Sequence, residues 1–207
     1  MTGFLFSGEA LIPTRGLRGK VKKKTMDKLS KKEKSRLRIM HAAKGLFEKQ
    51  GLDNVTFSQI AEAADVCRTT VFNHFSGTRD LMLAISVQEI RDIIQYCHEN
   101  EYKGKDLIFA LFDKLIEDTA YYPMLTSQLI NNAVLTCEGD NPVKVIERMT
   151  ADGLRQEGIT GEDEIREFVI IIEGAYFGLI NHYHINNRTF DSAVMKEQFH
   201  KLMDKII

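Results

Sequence analysis

Tryptophan is absent from this chain of 207 residues, and proline and cysteine occur only three times each. Each scarcity removes a class of protein. Cys67, Cys97 and Cys137 stand 30 and 40 residues apart, which matches neither an even disulfide framework nor a zinc-binding spacing and points to a reducing cytoplasm. No apolar run approaches the roughly 18 to 20 residues that a membrane span needs, since even Phe168 to Ile172 runs straight into Glu173. Residues 1 to 14 hold a short apolar stretch with no preceding positive charge and an interrupting Glu9, a poor signal peptide. Gly-rich phosphate loops, paired-carboxylate signatures and any interpretable nucleophile–base spacing are missing as well, so the expectation is a protein that is not an enzyme and carries no cofactor.

What is present is charge segregation. The net charge is −1, yet residues 1–38 carry 12 Lys+Arg against 3 Asp+Glu, an excess of nine that leaves −10 over the remainder. A block such as Lys20, Lys22, Lys23, Lys24, Lys28, Lys31, Lys32, Lys34, Arg36 and Arg38 can release counterions from nucleic acid, attract an anionic lipid surface, or remain a solvated tail. Patterned sequence begins near Ser30, so a start at Met26 would remove nothing that carries pattern. Residues 1–25 are expected to be disordered or outside the native product, within a basic extension over 1–29.

From Ser30 onward the apolar residues recur at helical spacing, as in Ile39, Ala43, Leu46 and Phe47 or Ile108, Leu111, Phe112, Leu115 and Ile116, and no segment sustains a period of two. The predicted fold is all-α with about nine helices, short ones first and long ones later. Gly51 ends the first, Asn141-Pro142 is a cap followed by a first-turn proline, and Gly158 and Gly161 bracket a turn before a long helix over about 163–186. A last helix is expected over about 191–205.

The informative stretch is Val55 to Phe75. Thr56-Phe57-Ser58-Gln59 is a capping box, with Val55 and Ile60 placed as a hydrophobic staple. Asp65-Val66-Cys67 forms a tight turn, and in the following segment Val71 and Phe75 point inward while Arg68, Thr69, Thr70 and Asn73 face out. Arg can donate twice to guanine, Asn can pair with adenine and Thr can meet a thymine methyl, so this face suits a major-groove reader. A solvated polar face has the same composition. The helix, tight turn and short second helix, led by a basic segment, favour a helix-turn-helix.

The stretch from Lys32 to Ile93 resembles the TetR-like bacterial transcriptional regulators. The resemblance rests on Ile39-Met40-His41-Ala42-Ala43-Lys44-Gly45-Leu46-Phe47-Glu48-Lys49-Gln50-Gly51, Val55-Thr56, Ile60-Ala61, Val71-Phe72-Asn73-His74-Phe75 and Asp80-Leu81. It implies a homodimer whose N-terminal domains bind a near-palindromic operator in double-stranded DNA. It also implies a larger helical domain that dimerises and binds a small-molecule effector. By resemblance, Thr56 lies near a phosphate, Arg68, Thr69 and Thr70 enter the groove, and Phe72, Asn73 and His74 lie against the backbone and adjacent bases. Cys67 stands where the family often has Ser, Phe72 where it often has Tyr, and Thr78-Arg79 where it often has Lys-Glu, leaving Arg79 as the phosphate contact.

The expected organisation is a helix-turn-helix domain over 30–77, a connecting helix over 78–96 that acts as the lever, and a ligand-binding and dimerisation domain over 97–207. Phe109, Phe112, Tyr121, Tyr122, Met124, Leu129 and Phe177 supply surface for a largely apolar effector, or are simply core. Gly174 and Gly178, one turn apart, mark either a dimer seam or tight packing within the monomer, and Phe199 and Leu202 join them as interface candidates. His182 and His184 are two apart on a helix and face different sides, which argues against a metal site. Cys67 either fills the turn or senses oxidants. The reading is a cytoplasmic, ligand-responsive repressor with no membrane partner; the rival is a ligand-independent architectural or nucleoid-associated DNA-binding protein.

Overall fold

The computed structural model describes residues 29–135 and 141–206. The expectations for residues 1–25 and for Cys137 fall outside this range. Among the described residues there are nine α-helices, one short 3-10 turn at Leu52–Asn54 and no strand. No described helix is long and apolar enough to cross a membrane.

Helix α1, Lys31–Gln50, starts in a capping box: Ser30 Oγ accepts the Glu33 N–H at 3.2 Å and the Glu33 carboxylate accepts the Ser30 N–H at 2.8 Å. It ends where Gly51 turns to φ 77°, a conformation that a side chain would strain. Helices α2, Phe57–Ala63, and α3, Arg68–His74, are a turn or two each, joined through Asp65 at φ 52°. Helix α4 runs over Thr78–Glu99, α5 over Gly104–Tyr121, α6 over Pro123–Leu135 and α7 over Pro142–Gln156. The chain closes with α8, Glu162–Ile185, and α9, Ser192–Met203.

Two apolar clusters organise these helices. The first, the head, gathers Ile39 and Phe47 of α1, Ile60 of α2, Val71 of α3, Phe75 and the start of α4 (Leu81, Met82, Ile85). The second, the body, takes the later part of α4 (Ile90, Ile93, Cys97) together with α5, α7, α8 and α9. Helix α4 therefore contributes one end to each. Leu125 of α6, distant in sequence from the rest of the head, belongs to the head cluster and is 1% exposed.

Helix α5 is the axis of the body. Phe112 stacks on Phe199 of α9 with centroids 5.0 Å apart and planes at 24°, and meets Tyr176 of α8 edge-on at 5.7 Å. The Thr119 and Tyr176 hydroxyls, both buried, satisfy one another at 2.8 Å. Gly153 lets α7 approach α5 closely, because a Cβ there would stand 2.8 Å from Ile108 and 2.9 Å from the Gly104 carbonyl. The end of α7 in turn caps the start of α5, with the Gln156 and Glu157 side chains accepting the N–H groups of Gly104 and Lys105. The Asn141 carbonyl caps α7 at Val143 while its amide donates to the Ala133 carbonyl, tying α7 to α6.

This packing corrects one expectation. Phe199 is fully buried inside the monomer, so it fills the core and offers nothing to a partner. Phe112 is likewise fully buried, packed against Phe199 and Tyr176, which is the core placement that its sequence left open.

Candidate nucleic-acid interface

The head presents α3 on a rigid base. Val71 is fully buried and Phe75 is 1% exposed, which anchors the inner side, while Arg68, Thr69, Phe72 and Asn73 are exposed on the outer side. Helix α1 clamps the far end: Arg36 Nη1 donates to the His74 carbonyl at 2.9 Å, and its guanidinium lies 4.3 Å from the Phe75 ring centre. Arg36 thus leaves the general basic block for a positional role 38 residues away, which no local pattern could reveal. The His74 ring is half-buried. Burial first, then the charges of Arg36 and Lys32, hold its pKa below the usual imidazole value, so it is neutral at pH 7.

At the front of α3, Cys67 occupies the cap position without a side-chain capping hydrogen bond. Its sulfur instead lies 2.9 Å from Thr70 Oγ1, and that hydroxyl, followed by the Thr70 backbone, lowers the thiol pKa. Thr70 is only half-exposed and its hydroxyl is turned back to the turn, so the freely presented polar side chains of α3 are Arg68, Thr69 and Asn73. Phe72 is 49% exposed and rests on Phe57 of α2, with ring centres 5.0 Å apart. Thr56 stays at the surface with its hydroxyl and N–H both committed to the Gln59 side chain. Arg79 is exposed in the first turn of α4.

The head is fastened to the body at the start of α6. The Glu48 carboxylate of α1 accepts the N–H groups of Leu125 at 2.9 Å and Met124 at 3.3 Å, two of the donors that a helix N-terminus leaves open. One turn earlier, Lys44 pairs with Glu89 of α4 at 2.7 Å and lies 4.5 Å from the Tyr122 ring centre. Asp118 of α5 adjoins this pair. Burial, then the Glu89 charge, raise its pKa far above the usual carboxylate value.

The seven side chains predicted to line an effector pocket do not come together. Tyr122 and Leu129 pack on the head cluster, Tyr121 and Met124 are about half exposed beside that junction, and Phe112 is core. Phe109 contacts His200 of α9 at 4.5 Å, and Phe177 is half-buried beside Tyr176. For Tyr122, Met124 and Leu129 the placement was unreadable because it depends on how α6 docks on α1.

Helices α8 and α9 share an open groove of about 620 Å³, lined in part by Ile171, Ala175, Gly178, Leu179 and Leu202. Ile170 and Ile171 are 64% and 46% exposed, and nothing lies within 4 Å of a Cβ added at Gly174 or Gly178. The two glycines therefore serve no tight packing within the monomer. His184 bonds to Ser127 of α6 at 2.7 Å while His182 is exposed, and the described residues contain no cluster of three metal-ligating side chains.

Comparison with known proteins agrees with this geometry. Residues 39–85 match the family model for "Bacterial regulatory proteins, tetR family". The chain is 26% identical over 194 residues to the probable acrEF/envCD operon repressor of Escherichia coli (strain K12), spanning 84% of this chain and 86% of that protein. A transcriptional regulator of the TerR/AcrR family from Aquifex aeolicus VF5 has the same fold, with a TM-score of 0.62 and 18% identity over 84% of this chain and 99% of that one. So does FadR from Bacillus subtilis, solved in complex with stearoyl-CoA, with a TM-score of 0.60 and 16% identity over 83% and 99%.

Proposed function

We propose that the chain is a TetR-like DNA-binding transcriptional regulator that works as a homodimeric repressor, released from a near-palindromic operator by a small, largely apolar effector. The observation that carries this reading is α3 itself. It shows Arg68, Thr69 and Asn73 to solvent while Val71, Phe75 and the Arg36 clamp hold it rigid. Base edges can then be read without reordering the helix. The head would span 30–77, with the connecting helix over 78–96 and the effector and dimer region over 97–207. The apolar α8–α9 face is the surface on which two copies would meet, through Ile171, Gly174, Gly178 and Leu202.

In this scheme the dimer sets the spacing of two α3 helices, and the effector favours a spacing that cannot fit both half-sites. The effector then weakens DNA binding by the factor by which DNA weakens effector binding. Movement reaches the head by two routes, along α4 and through the start of α6. Phe109 and Phe177, half-buried in the body, remain the effector-facing candidates.

Fluorescence anisotropy with the DNA just upstream of its own gene, at two salt concentrations and against scrambled duplex, tests the proposal. The expected result is tight, sequence-selective binding at a two-fold site. Salt-sensitive binding equal on both duplexes, repeated in selection from a randomised duplex pool so that an operator elsewhere is also sampled, would overturn it in favour of the architectural reading.

A further inference from the structure

The front of α3 carries an aromatic step that the reading above does not use. Phe72 is 49% exposed on a face otherwise occupied by Arg68, Thr69 and Asn73, and lacking a hydroxyl it can offer a phosphate no hydrogen bond. What it offers is its ring. One side of that ring meets Phe57 of α2, with centres 5.0 Å apart and planes tilted by 53°. The guanidinium carbon of Arg68, one helical turn back, lies 5.3 Å from the ring centre, within the range of a cation–π contact. Phe57 is half-buried and follows the Thr56 cap, so its backbone is fixed by the capping box.

Three side chains from two helices are therefore linked in series: Phe57 packs on Phe72, and Phe72 on Arg68. An exposed arginine ordinarily samples many rotamers, and a bidentate contact to guanine requires one of them. The neighbouring Thr70 hydroxyl is engaged with Cys67, so it does not hold the guanidinium. We infer that Phe57 is a positioning residue for base recognition, holding Arg68 through Phe72 in the orientation that reads a guanine. Phe57 itself touches no DNA. The inference rests on the proposed operator binding, and its consequence is for discrimination at one base position per half-site.

The test is selection of bound sequences from a randomised duplex pool, using the full-length protein and its Phe57→Leu, Phe57→Tyr, Arg68→Ala and Phe57→Leu/Arg68→Ala variants. The wild type should enrich a two-fold sequence with a marked guanine preference at one position in each half. Phe57→Leu should reduce that preference about two- to fivefold, the size of an exposed cation–π contact, and leave the other positions unchanged. Phe57→Tyr keeps the ring and should restore it. In the Arg68→Ala background, Phe57→Leu should change nothing further.

A uniform loss at every position, or an unchanged guanine preference with Phe57→Leu, would overturn the inference and leave Phe57 as packing alone. If Phe57→Leu melts the head, Phe57→Met carries the same comparison, since it keeps the bulk at that position and removes the ring. Failure of the wild type to enrich any sequence would overturn the operator reading and this inference with it. A selective wild type with an indifferent Phe57→Leu would overturn this inference only.

Discussion

The carboxylate of Glu48, near the end of α1, accepts the backbone N–H of Leu125 at 2.9 Å, so a residue of α1 caps α6, 77 positions along the chain. The Leu125 side chain then enters the head cluster, where it is 1% exposed. A helix cap and a buried leucine thus hold the same joint. Leu125→Ala should cost roughly 2–5 kcal/mol of stability, since it removes the apolar contacts and leaves a cavity. Glu48→Ala should cost about 1 kcal/mol, as for loss of a helix cap, and should release the Met124 and Leu125 amides to hydrogen exchange while leaving α8 and α9 protected. Unchanged exchange at those two amides would mean that the joint is held by the leucine alone.

Glu173 of α8 gives the stability of the body a pH dependence. Its Oε1 is buried without a hydrogen-bond partner, and burial, followed by the charge of Glu147, pushes the carboxyl up to about 7 from an ordinary value of 4.5. The folded chain binds this proton more tightly than the unfolded chain does. Its contribution is therefore fully present below about 4.5 and is lost as pH rises through about 7. Glu173→Gln should leave stability at pH 4.5 nearly unchanged and raise it at pH 8 by roughly 1 kcal/mol, allowing for the part of the group that water still screens. Thermal melts of both proteins at the two pH values check this, and a variant equally stabilised at both would remove the titration from the explanation.

Ile171 is 46% exposed beside the open side of Gly178, on the face assigned to a second copy. Ile171→Asp should leave the monomer folded, because no core contact is lost, and should place an unpaired charge in the seam. Sedimentation should report monomers. Operator affinity should fall by at least about tenfold, since one head then binds without the second. A variant that stays dimeric would move the interface elsewhere.

Much of the head was legible because its signals act between near neighbours. Ser30 with Glu33, Thr56 with Gln59, Gly51 at positive φ and Asp65 in the turn each satisfy or redirect backbone within four residues. Helix limits were legible to within three residues: α8 spans Glu162–Ile185 where 163–186 is expected, and α4 spans Thr78–Glu99 where 78–96 is expected. At the candidate site, the exposure of Arg68, Thr69 and Asn73 follows from the helical period alone. The diversion of the Thr70 hydroxyl to Cys67 does not, because either rotamer is compatible with the same sequence.

The chain's own periodicity, caps and turn residues were sufficient to determine an all-α protein with a helix-turn-helix at its front, because those effects are local and add along the backbone. Contacts between distant segments were decided only by the tertiary structure. Phe199, an apolar position on the last helix, could face a partner or the core until its stacking on Phe112 placed it inside. Leu129 and Tyr122 could line a pocket until α6 docked on α1 and gave them to the head. An apolar side chain loses water equally well against any apolar neighbour, so hydrophobicity shows that it is buried without showing where. The neighbour is selected by the packing of whole helices.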